Sequence, residues 1–426
     1  MYDVPRADAP ERGCLVGFAT PGNMLGERNV SMDELRALAA TARVETVVEM
    51  ICTRAGVTPA YFIGSGKAQE LAALCQKHDL HLVIFDHDLS PVQTRNLEQL
   101  TGAKIIDRTG LILHIFAQRA RTREGKLQVE LAQLEYMLPR LTRLWTHLSR
   151  QYGGLGTRGP GETQLEVDRR RVQARIRNAR IQLASVQRQR AQQRKRRQHS
   201  DIPVVALVGY TNAGKSTLLH TLTHAGVLIE DKLFATLDPT ARQYRLPSGE
   251  RFVFVDTVGF IRNLPHTLVE AFKATLEEVC QADVLLHIAD ATAPDLAAHI
   301  EAVHAVLREL GADDKPHILV LNKVDLLSHR ARKDVQDAYP DAVCISAQYR
   351  YGFSDMFARL RAIVPGPRQH VHLRLPPHKS LILSRLYAHG KVMHAAYQDD
   401  AVLVEALVPD TMFDDVRKYR IKEPQP

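Results

Sequence analysis

The chain has 426 residues, 45% hydrophobic and 24% charged, a composition that fits globular domains with cores and excludes a disordered or fibrous polypeptide. No apolar run approaches the ~20 residues that span a bilayer, the first twenty residues lack the order of a signal peptide, and five scattered cysteines (Cys14, Cys52, Cys75, Cys280, Cys344) show neither disulfide nor zinc-site spacing. The net charge is +8, yet Arg158–Gln198 alone holds thirteen Lys/Arg against three acids, so the basic character is confined to one segment. We expect a cytoplasmic protein, with peripheral membrane attachment left open.

From Cys14 to Ile106 the apolar runs Leu15–Phe18, Val44–Met50, Leu82–Phe85 and Lys104–Ile106 predict strands. The amphipathic stretches Met32–Ala42, Lys67–His78 and Pro91–Leu100 predict helices, and the alternation argues a parallel α/β unit. Between Thr109 and Arg150 the period changes. Leu127, Leu131, Leu134, Leu138, Leu141, Trp145 and Leu148 step by four and three, the seam of a packed helix, with Pro139 expected to kink or split it. Gly153–Gly161 forms a glycine-dense connector. A second helix then carries Leu165, Val172, Ile176, Ala179, Leu183 and Val186 on one stripe with arginines around it, so the pair predicts an antiparallel αα-hairpin. Gln187–Ser200 reads as a solvated end. Regular β/α alternation resumes from Pro203 to about Val364. The stretches Val371–Leu375, Ser380–His389, Ala401–Leu407 and Met412–Tyr419 predict a small α/β appendage.

Chemistry concentrates in the third segment. After the strand Val204–Val208 stand Gly209, Tyr210, Thr211, Asn212, Ala213, Gly214, Lys215 and Ser216, followed by a helix: the P-loop pattern in its required context. The glycines let backbone N–H groups turn around phosphate oxygens at a helix N-terminus. Lys215 is expected to bridge the outer phosphates, and Ser216 to ligate Mg²⁺. The strand Phe252–Val255 ends in Asp256, Thr257, Val258 and Gly259, an acid that holds Mg²⁺ through water and a glycine that senses the terminal phosphate. The strand Ile318–Leu321 ends in Asn322, Lys323, Val324 and Asp325. Guanine offers two adjacent N–H donors, which Asp325 can accept as a buried charged acceptor. Asn322 is expected to brace the P-loop, and the Lys323 stem to cover the ring. After Ala342–Ile345, Ser346, Ala347 and Gln348 bring a backbone N–H to the guanine carbonyl. Between P-loop and Asp256, Thr236 and Thr240 both carry the hydroxyl that a mobile switch brings to Mg²⁺, and spacing does not choose between them.

These residues resemble the HflX family of translation-factor-related GTPases. The resemblance rests on GYTNAGKS (Gly209–Ser216), FATLDPT (Phe234–Thr240), DTVGFIRNLPH (Asp256–His266) and the NKVD and SAQ elements. It extends to YFIGSGKAQEL (Tyr61–Leu71), FDHDLSP (Phe85–Pro91), Ile105–Leu134 and GGLGTRGPGETQLEVDRR (Gly153–Arg170). The resemblance implies a multidomain α/β chain: an N-terminal α/β domain (residues 1–108), a helical hairpin with a Gly-rich loop (109–200), a doubly wound, mainly parallel P-loop GTPase domain (201–366) and a small C-terminal α/β domain (367–426). It implies a monomer that hydrolyses GTP with Mg²⁺, binds the large ribosomal subunit and its RNA, and splits stalled or idle ribosomes. The alternative is an assembly or RNA-remodelling GTPase acting on free large subunits. By the same likeness Thr236 is the Mg²⁺-linked threonine beside Ser216, the segment Phe234, Ala235, Thr236, Leu237 and Asp238 lines the nucleotide, and Lys215, Thr236 and Gly259 carry catalysis.

Several features stay outside that assignment. Phe260 stands where many signalling GTPases use a glutamine to orient water, so hydrolysis is expected to be slow without help. Asn212 either supports a K⁺ ion near the phosphates or only tightens the loop. Gly64-Ser-Gly-Lys67 is read as a strand-to-helix turn rather than a second phosphate cradle. Asp86-His87-Asp88 is read as a capped turn rather than a metal site. The arginine-rich helix, nearly free of acids, predicts contact with nucleic acid. The glycine loop is expected to order inside RNA.

Overall fold

Short runs of apolar residues between amphipathic helices build the first sheet. β1 (Glu11–Phe18), α1 (Val30–Thr41), β2 (Val44–Cys52), α2 (Ser65–His78), β3 (Leu82–Phe85), α3 (Pro91–Thr101) and β4 (Lys104–Asp107) alternate along the chain. The strands pair all-parallel in the order β2-β1-β3-β4. β3 is buried at all four residues, as befits a parallel strand covered on both faces. The structure, a computed structural model, describes residues 10–18, 30–52, 58–141, 160–197, 202–223, 233–234, 236–246, 250–262, 276–364, 368–376, 379–389, 391–398 and 401–421. The local signals explain the helix starts: Ser90 makes a capping box with Gln93 around Pro91, and Asp107 caps the next helix through the Gly110 N–H at 2.8 Å.

Two helices follow, α4 (Arg108–Arg119) and α5 (Arg123–Leu141), and then α6 (Pro160–Arg197). Leu131 and Leu134 of α5 meet Ile176 and Ala179 of α6, with Leu138, Val172 and Leu183 around them, as the two stripes predict. Arg175–Glu130 and Arg180–Glu135 ion pairs, each 2.7 Å, flank the seam. α5 as described ends at Leu141, two residues after Pro139; there Arg140 bonds the Tyr136 carbonyl (2.9 Å), the Leu89 carbonyl (3.2 Å) and Asp107 (2.6 Å). The helical path also continues through Gln187 to Arg197. Trp145, Leu148 and the connector from Gly153 to Gly159 lie outside the described residues.

β5 (Val204–Gly209), α7 (Lys215–Thr223), β6 (Thr240–Arg245), β7 (Arg251–Asp256), β8 (Val284–Asp290), α8 (Leu296–Glu309), β9 (His317–Asn322), α9 (His329–Ala338), β10 (Val343–Cys344) and α10 (Phe353–Ile363) form the next unit. Its six-stranded sheet has the order β10-β9-β8-β5-β7-β6, parallel except for the β6–β7 hairpin. The last sheet is antiparallel, in the order β12-β13-β11-β14. It is made of β11 (Arg368–Leu375), β12 (Lys391–Tyr397), β13 (Val402–Pro409) and β14 (Arg420–Ile421), with α11 (Ser380–His389) and α12 (Asp410–Val416). β12 had no sequence expectation. Its bulge between Val392 and His394 breaks the period-two pattern that would have revealed it.

One apolar cluster does not respect the sequence divisions. It runs from Leu15 and Leu35 through Phe116 and Val129 to Phe234, Leu237 and Phe260. The first sheet, the α4/α5 pair and the segment before β6 therefore share a core.

Candidate nucleotide site

The turn from β5 to α7 is shaped by close approach. Gly214 has φ of 95°, and a Cβ there would stand 2.2 Å from Asn322 Nδ2. A Cβ on Gly209 would lie 2.1 Å from the Ile288 carbonyl oxygen. Only glycine satisfies both positions. The Thr211 N–H donates to the Phe260 carbonyl (2.8 Å) and the Phe260 N–H to the Gly209 carbonyl (3.0 Å), which clips the segment after β7 onto the P-loop. Gly259 lies beneath that clip, so close that a Cβ on it would come within 3.0 Å of Lys215 Nζ. Asn322 ties the P-loop to the loop after β10: its Nδ2 donates to the Ala213 carbonyl and its Oδ1 accepts the Ala347 N–H, both at 2.9 Å.

Three oxygens converge where the switch meets the P-loop. Ser216 Oγ lies 2.6 Å from Asp256 Oδ2 and 2.7 Å from Thr236 Oγ1, and Thr236 Oγ1 donates to Asp256 Oδ2 at 2.9 Å. Thr240, the other candidate, only reaches the Asp238 carbonyl at 3.5 Å and opens β6. Adjacent ligands about 2.1 Å from an octahedral Mg²⁺ stand about 3 Å apart, so the Ser216 and Thr236 hydroxyls, 2.7 Å apart, fit as neighbouring ligands of that ion with Asp256 close beside them. Asp256 Oδ1 is buried without a hydrogen-bond partner. Burial raises the Asp256 carboxyl while Lys215 opposes the shift. Lys215 is itself buried, donates to the carbonyls of Gly209 (3.0 Å) and Tyr210 (2.8 Å), and burial pushes its ammonium down to about 8.

The remaining predicted residues divide. Lys323, in left-handed backbone at φ of 65°, pairs with Asp290 at 2.7 Å. Asp325 is exposed, not buried as expected, because it sits on the short 3₁₀ turn Val324–Leu326 beyond the end of β9. Ser346 and Ala347 use their N–H groups internally, on the Tyr351 carbonyl and on Asn322, and Gln348 is exposed. Thr257 is buried and donates to the Leu207 carbonyl at 2.7 Å; Val258 and Val324 are buried core residues. Asn212 takes left-handed φ of 61°. Ala235 lies outside the described residues.

Three expected nucleotide residues turn their side chains elsewhere. Phe234 is buried edge-on against Phe116, ring centroids 4.6 Å apart, and Leu237 joins the same core. The Asp238 carboxylate accepts the N–H groups of Arg121 (2.8 Å) and Thr122 (2.9 Å) together with the Thr122 hydroxyl. It thus braces, from 116 residues away, Thr122, whose own hydroxyl caps α5 by accepting the Gly125 N–H at 3.0 Å. Tyr210 is a fourth case. Its ring stacks on His299 at 3.9 Å, its hydroxyl donates to Glu34 and accepts the Arg262 N–H (2.8 Å), and burial pushes its phenol pKa up. Glu34 also pairs with the buried Arg108, which reaches Asp86 (2.6 Å) and the Arg262 carbonyl (3.2 Å). Asp86 and Asp88 are thereby engaged, Asp86 by Arg108 and Asp88 by the Thr109 hydroxyl at 2.5 Å. Lys67 pairs with Glu70 on α2, in keeping with a plain turn at Gly64. Sequence reasoning missed the roles of Glu34, Arg108, Thr122 and His299, since each acts across a large sequence separation that no local spacing encodes.

Comparison with known proteins accounts for this arrangement. The family described as GTP-binding GTPase N-terminal matches residues 29–117, GTP-binding GTPase Middle Region matches residues 119–197, and 50S ribosome-binding GTPase matches residues 204–323. The GTPase HflX of Escherichia coli (strain K12) is 49% identical over 390 residues, 91% of this chain and 90% of that protein. The GTPase HflX of Caldanaerobacter subterraneus subsp. tengcongensis is 46% identical over 395 residues, 93% and 91% respectively. A solved GTP-binding protein of Sulfolobus solfataricus in complex with GDP is 23% identical, covers 83% of this chain and 98% of its own, and has a TM-score of 0.44. With GYTNAGKS after β5, DTVG after β7 and NKVD after β9, and with relatives this similar over nearly its whole length, the chain belongs to the HflX family of GTPases.

Proposed function

We propose that this GTPase docks on the large ribosomal subunit through its arginine-rich hairpin and splits stalled or idle ribosomes, with GTP hydrolysis driving release. The observation that carries the reading is the tie between Asp238 and Thr122, the residue that caps α5. Thr236, beside Ser216 and Asp256, stands two residues from the carboxylate that holds Thr122, the capping residue of α5, and α5 packs along α6. Nucleotide state and hairpin are thereby mechanically joined. Arg169, Arg170, Arg171, Arg175, Arg177 and Arg180 on α6 are exposed, a surface suited to phosphate backbones. The match of residues 204–323 to a family described as 50S ribosome-binding GTPase supports the same partner.

Within the site, Lys215 and the N–H groups of the loop hold the outer phosphates. Ser216 and Thr236 would hold Mg²⁺, with Asp256 reaching it through water, and the ion would supply neutralisation of phosphate charge there. Asp325 accepts the two guanine N–H groups and loses its exposure to the base itself. Phe260 is buried, so it does not orient the attacking water, and hydrolysis waits on the ribosome. A K⁺ role for Asn212 is tested by exchanging K⁺ for Na⁺: slower hydrolysis in Na⁺ supports it, and equal rates remove it.

Sedimenting the full chain with intact ribosomes and a nonhydrolysable GTP analogue tests the proposal. Separation into subunits is expected. Binding to free large subunits alone favours an assembly factor, and absence of binding removes the ribosomal reading.

A further inference from the structure

The antiparallel sheet at the end of the chain has one face packed and one face open. Val371, Leu373 and Leu375 of β11 are buried with Leu386 of α11 and Met412 of α12. The alternate residues His370 and His372 therefore point to the other face. There His372 is the register partner of Glu405 on β13, and His370 stands diagonally beside it. Among the described residues, the ligand atoms of His370, His372 and Glu405 are the set that lies within 4.8 Å of one another.

We propose that these three side chains form a Zn²⁺-class metal site that staples β11 to β13, a function separate from the nucleotide chemistry. Three features carry it. His370 Nε2 and Glu405 Oε1 are 2.9 Å apart, near the ~3.0–3.4 Å that separates two ligands bonded at ~2.1 Å to one such ion. The His370 and His372 rings lie with centroids 4.9 Å apart at 76°, so both imidazoles flank one point. His372 Nε2 is buried and has no hydrogen-bond partner, a cost that a plain His370–Glu405 cross-strand pair leaves standing and a metal bond removes. Two imidazole nitrogens with one carboxylate suit Zn²⁺ and its neighbours, not Mg²⁺, which takes oxygen ligands. The ion of the P-loop and the ion of this sheet are thus told apart by their donors. Three protein ligands leave a fourth tetrahedral position for water.

The test uses the full chain, stripped with chelator and then saturated with Mg²⁺ and GDP. Calorimetric titration with ZnCl₂ at pH 7.5 should show one equivalent bound in the micromolar range or tighter, and Zn²⁺ should raise the melting temperature. The double variant His370→Ala/His372→Ala should lose at least tenfold in affinity and the thermal shift. Glu405→Gln, which keeps shape and packing, should weaken binding similarly if the double variant does not fold. Substituted Co²⁺ should give visible bands without a near-ultraviolet thiolate charge-transfer band. Failure of the wild-type chain to bind one equivalent overturns the proposal. So does equal affinity in wild type and variants, or a thiolate band, which would put the ion on cysteine.

Discussion

Replacing Asp238 by alanine removes the acceptor for two backbone N–H groups and one hydroxyl at the start of α5. A hydrogen bond to a charged group contributes about 1.5–3 kcal/mol, while the Thr122 hydroxyl that caps α5 through the Gly125 N–H stays in place. Solvent can satisfy part of what is exposed, since the Arg121 N–H lies at the surface, so we take about 2–3 kcal/mol as the loss in docking of the switch segment. That is roughly 30–150-fold in the ratio of docked to undocked segment. Thr236 shares this short stretch, so the loss falls on the nucleotide whose terminal phosphate and Mg²⁺ require that hydroxyl. Affinity for a nonhydrolysable GTP analogue with Mg²⁺ should drop about tenfold or more in Asp238→Ala, while GDP affinity stays within about twofold. Asp238→Asn, which keeps one acceptor oxygen, should lie between. Equilibrium titration with both fluorescent nucleotides measures this. Equal losses for GDP and the analogue, or no loss for either, would show that the Asp238–Thr122 tie does not position the switch.

Asp325→Asn should lose GTP and gain xanthine nucleotide, because one acceptor of the pair becomes a donor; unchanged GTP affinity in titration would misplace the guanine site. Phe260 is 1% exposed and packed in the shared core. Phe260→Ala should cost about 3–5 kcal/mol in denaturant unfolding, whereas Phe260→Leu should leave basal turnover within a few-fold; a large catalytic loss in the leucine variant would give the ring a chemical role. His287 is buried, and burial lowers its pKa from 6.5 to about 3. Above pH 6.5 folded and unfolded chains are both neutral there. As pH falls from 6.5 toward 3 the unfolded chain takes up a proton that the fold refuses, and stability declines by up to about 1.4 kcal/mol per pH unit. His287→Asn should flatten that dependence in urea melts at pH 5 and pH 7, and an unchanged slope would refute the assignment.

What the sequence made legible follows from the range of the interaction. β3 and the P-loop are local: a four-residue apolar run and a glycine spacing fix them, and the structure has both where the spacing put them. The hairpin seam was readable from period alone, since a stripe of Leu131, Leu134, Ile176 and Ala179 has only one way to be buried. Asp238 was not. An aspartate two residues after a switch threonine looks like a ligand to the nucleotide, and only the fold reveals that α5 begins beside it. Tyr210 misled in the same way, for nothing in its P-loop position announces Glu34 or His299.

The core shared between the first sheet and the segment Phe234–Leu237 has a thermodynamic corollary. A ligand that binds only the native switch stabilises everything whose unfolding exposes Phe234, and therefore raises the opening free energy of strands that never touch it. Amide exchange in Leu15 and Ile84 should slow when nucleotide is added. The first sheet would then act as a distant reporter of occupancy, a property set by packing and not by any residue of the phosphate loop.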